Sequence, residues 1–423
     1  MVGNTHLTKE VFGIQRNLPL NYVTREADET LTDSLDREHH VVIYGSSKQG
    51  KTSLRKRNLR EEDYIIIHCS HKWDIYQLNI NILKQAGFEI TVSEKKTTTG
   101  KAKIKATIGF NLFFKADAET EVEGSKAKEI ETKELELDPE DVNDLIRALN
   151  GLKFNKFIVL EDFHYLKPET QKDFAIELKA FHENSNYSFI IVGVWLEENR
   201  LIALNGDLSG RVKSVNADHW EKNELQKLVN DGEYLLNVKF PEDSINDLIE
   251  KSLRNVHVVQ EVCYELCKVN SIVETIGGET VSIDCSMMDV LLNKVIGQHS
   301  GRYNKFITSF SEGFQATELE MHKWILFSIL TCGEEKLNNG LRRSDFTKIL
   351  EEKHPKGRDL NPGNLTQALN SVASLQVRKE ITPIIVDYDT GAIKLNVVDK
   401  GFIIWLHNQK IQEVLENAGL PTV

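Results

Sequence analysis

The run Val41-Val42-Ile43-Tyr44, followed at once by Gly45-Ser46-Ser47-Lys48-Gln49-Gly50-Lys51-Thr52, constrains this chain more than any other stretch. Four apolar residues in succession suit a strand buried on both faces, and the eight residues after it match a phosphate loop that opens a helix. Gly45 and Gly50 let the backbone bend so that successive amides face one anion. Lys51 supplies a mobile cation for the terminal phosphates, and Thr52 offers its hydroxyl to a magnesium ion. The expected ligand is ATP with Mg2+, held by Gly45, Ser46, Ser47, Lys48, Gln49, Gly50, Lys51, Thr52 and the adjoining Ser53.

Such a loop works only between a strand and a helix, and the flanking sequence repeats that alternation. A polar, helix-prone segment at residues 25 to 37 leads into the first strand. Further apolar runs follow at Tyr64 to Cys69, Phe157 to Leu160, Phe189 to Val194 and Val212 to Val215, with helical spacing near 169 to 184. Alternating strands and helices predict a covered parallel sheet. From about 221 the strands stop, and Leu225, Leu228, Leu235 and Leu236, then Ile245, Leu248, Ile249 and Leu253, fall at helical spacings. After Gly277-Gly278, residues 286 to 314 read as helical, and a C-terminal unit follows with helices at 319–332, 343–353 and 363–375. Turn residues Asp387 to Gly391 separate two short β-prone runs there, so three helices plus a hairpin predict a winged helix. The expected organisation is a P-loop NTPase parallel sheet over 1–220, a helical lid over 221–318 and a winged-helix domain over 319–423.

One stretch fits neither scheme. Ile104, Ala106, Ile108, Phe110, Leu112, Phe114, Ala116, Ala118 and Val122 keep a period of two, which is β-like. Lys101, Lys103 and Lys105 precede Asp117, Glu119, Glu121 and Glu123, so a fold-back near Gly109 to Asn111 would set opposite charges across a ladder. A hairpin arm within an insertion at about 95–128 is expected, its apolar face packing on its own domain or on a neighbour.

Glu161 and Asp162 end the Phe157 to Leu160 run, where a magnesium-side carboxylate and a water-orienting carboxylate are needed beside a triphosphate. With Thr52, Glu161 is the expected metal-side group. The usual order in such ATPases is Asp then Glu, and here it is reversed. His68-Cys69-Ser70-His71 has metal-ligand residue types but no second pair at zinc spacing, so core and loop roles are expected. Cys263 and Cys267 share one helical face and read as packing residues.

The chain resembles an AAA-type or STAND-type P-loop ATPase of the origin-recognition-like kind. The resemblance rests on Asn21-Tyr22-Val23-Thr24-Arg25-Glu26, the phosphate loop, Ile158-Val159-Leu160-Glu161-Asp162 and Leu208-Ser209-Gly210-Arg211-Val212. It implies that Tyr22 and Val23 lie along the adenine and that Arg211 reaches a neighbouring subunit's γ-phosphate. It also implies a polar sensor after the fourth strand, where Gly193-Val194-Trp195 stands instead and Asn199 and Arg200 are the next candidates. A lid signature is missing too, with Arg254 and His257 in its place.

The formal charge of −12 argues against non-specific attraction to nucleic acid or anionic membranes. No run approaches the roughly 18 apolar residues of a membrane span, no signal-peptide pattern opens the chain, and five scattered cysteines describe no disulfide framework, so a cytoplasmic protein is expected. Helix 363–375 carries no Lys or Arg, although Thr366, Gln367, Asn370, Ser371 and Ser374 have base-reading chemistry and Arg378 and Lys379 follow. The expected function is an ATP-binding and ATP-hydrolysing switch that controls assembly, as a homo-oligomer or through a partner effector, in systems that include prokaryotic defence. The alternatives are a nucleotide-gated DNA-binding regulator or loader acting through the winged helix, and a scaffold that binds nucleotide without hydrolysing it.

Overall fold

The computed structural model describes residues 5–13, 17–108, 134–315 and 317–422. Its strands in chain order are β1 (His40–Tyr44), β2 (Tyr64–His68), β3 (Phe88–Lys96), β4 (Ala102–Ile108), β5 (Leu135–Leu137), β6 (Phe157–Glu161), β7 (Phe189–Val192) and β8 (Val212–Asn216). Five short ones follow: β9 (Val238–Lys239), β10 (Val281–Ser282), β11 (Leu341–Arg342), β12 (Val386–Asp389) and β13 (Lys394–Val397).

The continuous apolar runs form one parallel sheet in the order β2-β6-β7-β1-β8. Alternation along each strand feeds two cores. Val42, Ile158, Leu160, Phe189 and Ile191 pack with Leu78, Ile82, Leu145, Phe174 and Phe181 on one face. Val41, Ile43, Val159, Ile190 and Val192 pack with Leu31, Leu35 and Leu54 on the other. Each such side chain taken from water contributes about 1.5–3 kcal/mol, which is why the strands tolerate so little polar content. All five strands point the same way, so the loops leaving β1, β6 and β7 emerge on one edge, the usual ligand edge of an open α/β sheet.

The period-two segment does form a strand, but its partners differ from the expected ones. β4 pairs antiparallel with β3 before it and with β5 after it, so Ile104 to Ala106 have a neighbour on both sides. The expected fold-back at 109–111, the residues 110–122 and the acids at 117–123 lie outside the described residues. Charge does alternate across this sheet, through Lys105 to Glu134 at 2.8 Å and Lys95 to Glu136 at 2.6 Å. Ile104 and Ala106 are buried against Leu83, Phe88, Leu137 and Ala148, so this part packs on its own domain.

Beyond the sheet the chain is helical, with helices Lys222–Leu236, Glu242–Lys251, Val256–Val269, Met288–Gly297 and Ser300–Ser311. The C-terminal unit carries helices Met321–Thr331, Arg343–Lys353, Pro362–Asn370 and Val372–Arg378 among others, and an antiparallel sheet in the order β11-β13-β12. The helix expected at 363–375 breaks at Ser371, whose amide bonds back to the Ala368 carbonyl at 3.1 Å and whose hydroxyl lies 3.0 Å from His322 Nε2. One continuous hydrophobic core runs from Leu225 and Val258 through Tyr303 to Phe402 and Leu415. Among the described residues no helix is long and apolar enough to cross a membrane.

Candidate nucleotide site

The phosphate loop is built by backbone conformations that favour glycine. Gly45 has φ +141°, and a Cβ there would meet the Asp218 backbone nitrogen at 2.9 Å. Gly50 has φ +84° and serves as an N-cap without a capping side chain, so helix Lys51–Asn58 opens its first amides toward the loop. An uncapped helix N-terminus is a ready anion site. Beside it lies a cavity of about 450 Å3 lined by Lys48 to Ser53, Tyr22, Val23, Arg25, Trp220, His257 and Gln260 among others. The expected loop residues Lys48 to Ser53 and the two expected adenine neighbours thus share one cavity.

Lys51 donates to the carbonyls of Gly45 at 2.9 Å and Ser46 at 2.6 Å. Burial lowers its pKa to about 8, against smaller opposing contributions from Asp218, Glu161 and Asp162. A buried ammonium answered only by carbonyls is a site whose electrostatics ask for an anion. Ser46 Oγ and both amide atoms of Gln49 are also buried without partners. These groups fit a nucleoside triphosphate: loop amides and Lys51 for phosphates, and Thr52 with an acidic partner for magnesium.

At the end of β6, Glu161 is buried and accepts from Arg55 Nε at 3.2 Å, an arginine on the same helix that the loop opens. Burial raises the Glu161 pKa, with Arg55 opposing and Asp162 adding to the rise. Asp162 sits in the left-handed region at φ +59° and lies 4.0 Å from His68 at the end of β2. It is the more exposed of the two carboxyls, and burial raises its pKa while His68 and Lys51 oppose. Arg211 stands at the amino end of β8, opposite the end of β1 from which the loop departs, and pairs with Glu183 at 2.7 Å. It is outside this chain's own nucleotide cavity.

The expected sensor positions also separate. A Cβ at Gly193 would fall 1.5 Å from the Trp195 ring, so the end of β7 has no room for a polar side chain. Arg200 binds Asp387 of the C-terminal unit at 2.7 Å. His257 lines the cavity and, with His299, receives Lys48 Nζ at 3.0 and 2.7 Å. Burial first, then Lys48, lowers the pKa of His257 to about 3 and of His299 to about 4, so both rings are neutral acceptors.

Several contacts of this site join segments far apart in the sequence. Asp218 accepts the Ser46 amide at 3.0 Å and pairs with Lys400 at 3.4 Å. Ser47 donates its amide to the Val398 carbonyl at 3.1 Å. Arg302 pairs with Asp399, the next residue. Arg25 stacks on Trp220 at 3.8 Å and donates to the His219 carbonyl at 3.0 Å. Ser47 and Arg25 stood in sequence motifs, and among the others only Asp218, His219 and Trp220, next to the end of the β8 run, had any flag in the sequence.

No family model and no curated protein sequence matches the chain. Among solved structures it is similar to a Walker-type ATPase of Pyrococcus abyssi, at 14% identity and a TM-score of 0.52, covering 94% of this chain and 99% of that one. It also aligns with the ORC2 protein of Aeropyrum pernix in its ADPNP-ADP complexes, at 13% identity and TM-score 0.46 over 96% and 98% of the two chains. A STAND protein of Pyrococcus horikoshii with a tetratricopeptide repeat sensor matches at 13% identity and TM-score 0.36, over 94% of this chain and 44% of that one. The chain therefore has the fold of that Walker-type ATPase.

Proposed function

We propose that this protein is an ATP-operated switch in which the C-terminal unit reads the occupancy of the phosphate loop. The observation that carries the reading is the contact between them: the Ser47 amide on the Val398 carbonyl, with Lys400 on the same Asp218 that holds Ser46. A triphosphate entering the loop would draw Lys51 off the Gly45 and Ser46 carbonyls and shift the backbone on which Val398 rests. The lid histidines on Lys48 would move with it. In this scheme Tyr22 and Val23 flank the base, Thr52 and Glu161 hold magnesium, and Asp162 orients the attacking water.

Residues 221–318 act as the lid and 319–423 as a winged helix whose displacement exposes a surface for another copy or a partner effector. Arg211 belongs to a neighbouring copy's site in the assembled state. A DNA-loading role finds less support, because helix Pro362–Asn370 carries no Lys or Arg for phosphates and Ser371 is bonded to His322. ATP turnover measured with and without duplex DNA tests the reading. The switch predicts slow turnover that DNA leaves unchanged. Strong stimulation by DNA would favour a loader, and binding without turnover would favour a scaffold.

A further inference from the structure

A second cavity, of about 630 Å3, lies between the sheet's ligand edge and the C-terminal unit and takes no part in the scheme above. Its walls are the segment after the β6 acids, helix Arg200–Leu204 and the two helices on either side of Ser371. His164 forms part of this wall and is 6% exposed. Its Nδ1 accepts the Val194 amide at 3.3 Å, which places the ring proton on Nε2, and that nitrogen is buried with no partner. Burial lowers the ring's pKa to about 3, with Lys51 and Arg200 adding to the effect, so the ring is neutral and keeps a single N–H to give. A buried donor left unmade is costly, and native folds keep few of them without a reason.

The charges around it point to the kind of acceptor that is missing. Lys72, Lys167 and Arg378 line the cavity, and the two lysines are exposed at its rim. The acids are largely spent: Asp387 is paired with Arg200 at 2.7 Å, Glu380 lies 3.7 Å from Lys305, and burial, then Asp389, drives the Glu197 carboxyl up to about 7. In a chain of net charge −12 this is a local surplus of cations around an orphan donor. Several donors call for several acceptor oxygens, which a phosphate supplies, and the volume lies in the range of small-molecule pockets.

We infer that this interdomain cavity binds a phosphorylated small molecule of mononucleotide size, with His164 donating Nε2–H to a phosphate oxygen and Lys72 and Lys167 neutralising its charge. An occupant would bridge the turn that carries Asp162 to the C-terminal unit, so the site is placed to regulate the switch. The assignment rests on the cavity's own residues and is independent of what fills the phosphate loop.

The test is calorimetric titration of the full chain, saturated with Mg-AMP-PNP, with AMP and separately with ribose 5-phosphate, which distinguishes a nucleotide from a sugar phosphate. At least one probe is expected to bind at a single saturable site. Lys72→Glu/Lys167→Glu should weaken it at least tenfold and leave AMP-PNP affinity unchanged, and His164→Phe should weaken it with the circular dichroism spectrum retained. Should His164→Phe fail to fold, the lysine pair, being exposed, still decides. The same titration on nucleotide-free Lys51→Ala separates this site from the phosphate loop, and binding there should persist. No saturable binding of either probe at millimolar concentration, or undiminished affinity in the lysine pair, overturns the assignment.

Discussion

Lys51→Ala should leave the stability of the empty site nearly unchanged while sharply weakening the occupied one. In the nucleotide-free chain the ammonium is buried, gives hydrogen bonds only to the Gly45 and Ser46 carbonyls, and has its pKa lowered from 10.5 to about 8. A displacement of that size corresponds to about 3 kcal/mol against the charged form. The folded pKa lies below the unfolded one, so between pH 8 and 10.5 the unfolded chain holds a proton that the folded chain has released. Stability therefore rises with pH across that window, and at pH 7 the folded chain carries the whole cost. Alanine removes this cost but deprives two buried carbonyls of their donor, a loss of about 1–3 kcal/mol each way of counting. The terms nearly cancel, so the unfolding free energy in urea at pH 7 should stay within about 2 kcal/mol of wild type. With ATP bound the lysine makes charge-assisted bonds to phosphate of about 1.5–3 kcal/mol each, and losing two costs roughly 10²- to 10⁴-fold in affinity. Calorimetry with Mg-ATP reads the second quantity. Equal affinity in both proteins would refute the phosphate-loop assignment, and a nucleotide-free variant destabilised by more than about 4 kcal/mol would refute the electrostatic argument.

Asp162→Asn should keep ATP bound while turnover falls by about 10²-fold or more, since an amide cannot take a proton from water; an active Asp162→Asn beside an inert Glu161→Gln would exchange the two roles. Replacing residues 109–133 with a short Gly/Ser linker leaves β4 and β5 in place and should preserve nucleotide affinity while reducing ATP-dependent assembly in light scattering; unchanged assembly with an intact fold would remove the arm from the interface. His40 and His164 are buried with pKa values lowered to about 3, so the unfolded chain takes up their protons first. Thermal stability should then fall as pH drops from about 6.5 toward 4, by up to about 1.4 kcal/mol per pH unit for each ring, and a flat profile would contradict their neutral burial.

The sheet was legible because β1, β6 and β7 are buried on both faces, and a buried parallel strand is apolar along most of its length. The phosphate loop was legible because positive-φ glycines and a Lys-Thr pair at set spacing have few other uses. The partners of β4 were not, since a period of two shows that a strand has two faces and says nothing about which strand lies beside it. The same limit hid Arg55 on Glu161 and Asp218 on Ser46, contacts between residues 106 and 172 positions apart that no local spacing encodes. The break at Ser371 escaped because the helical pattern continues through it, and the His322 that meets its hydroxyl is brought close by the fold alone.

Hydrogen exchange at the two sides of the Ser47 to Val398 contact tests the switch most directly. Peptides covering 45–53 and 396–402 are compared with and without Mg-ATP, followed by mass spectrometry. Phosphate should protect the loop amides while the 396–402 segment exchanges faster as the C-terminal unit lifts away. Loop protection with an unchanged or more protected 396–402 segment would contradict a unit that reads the nucleotide.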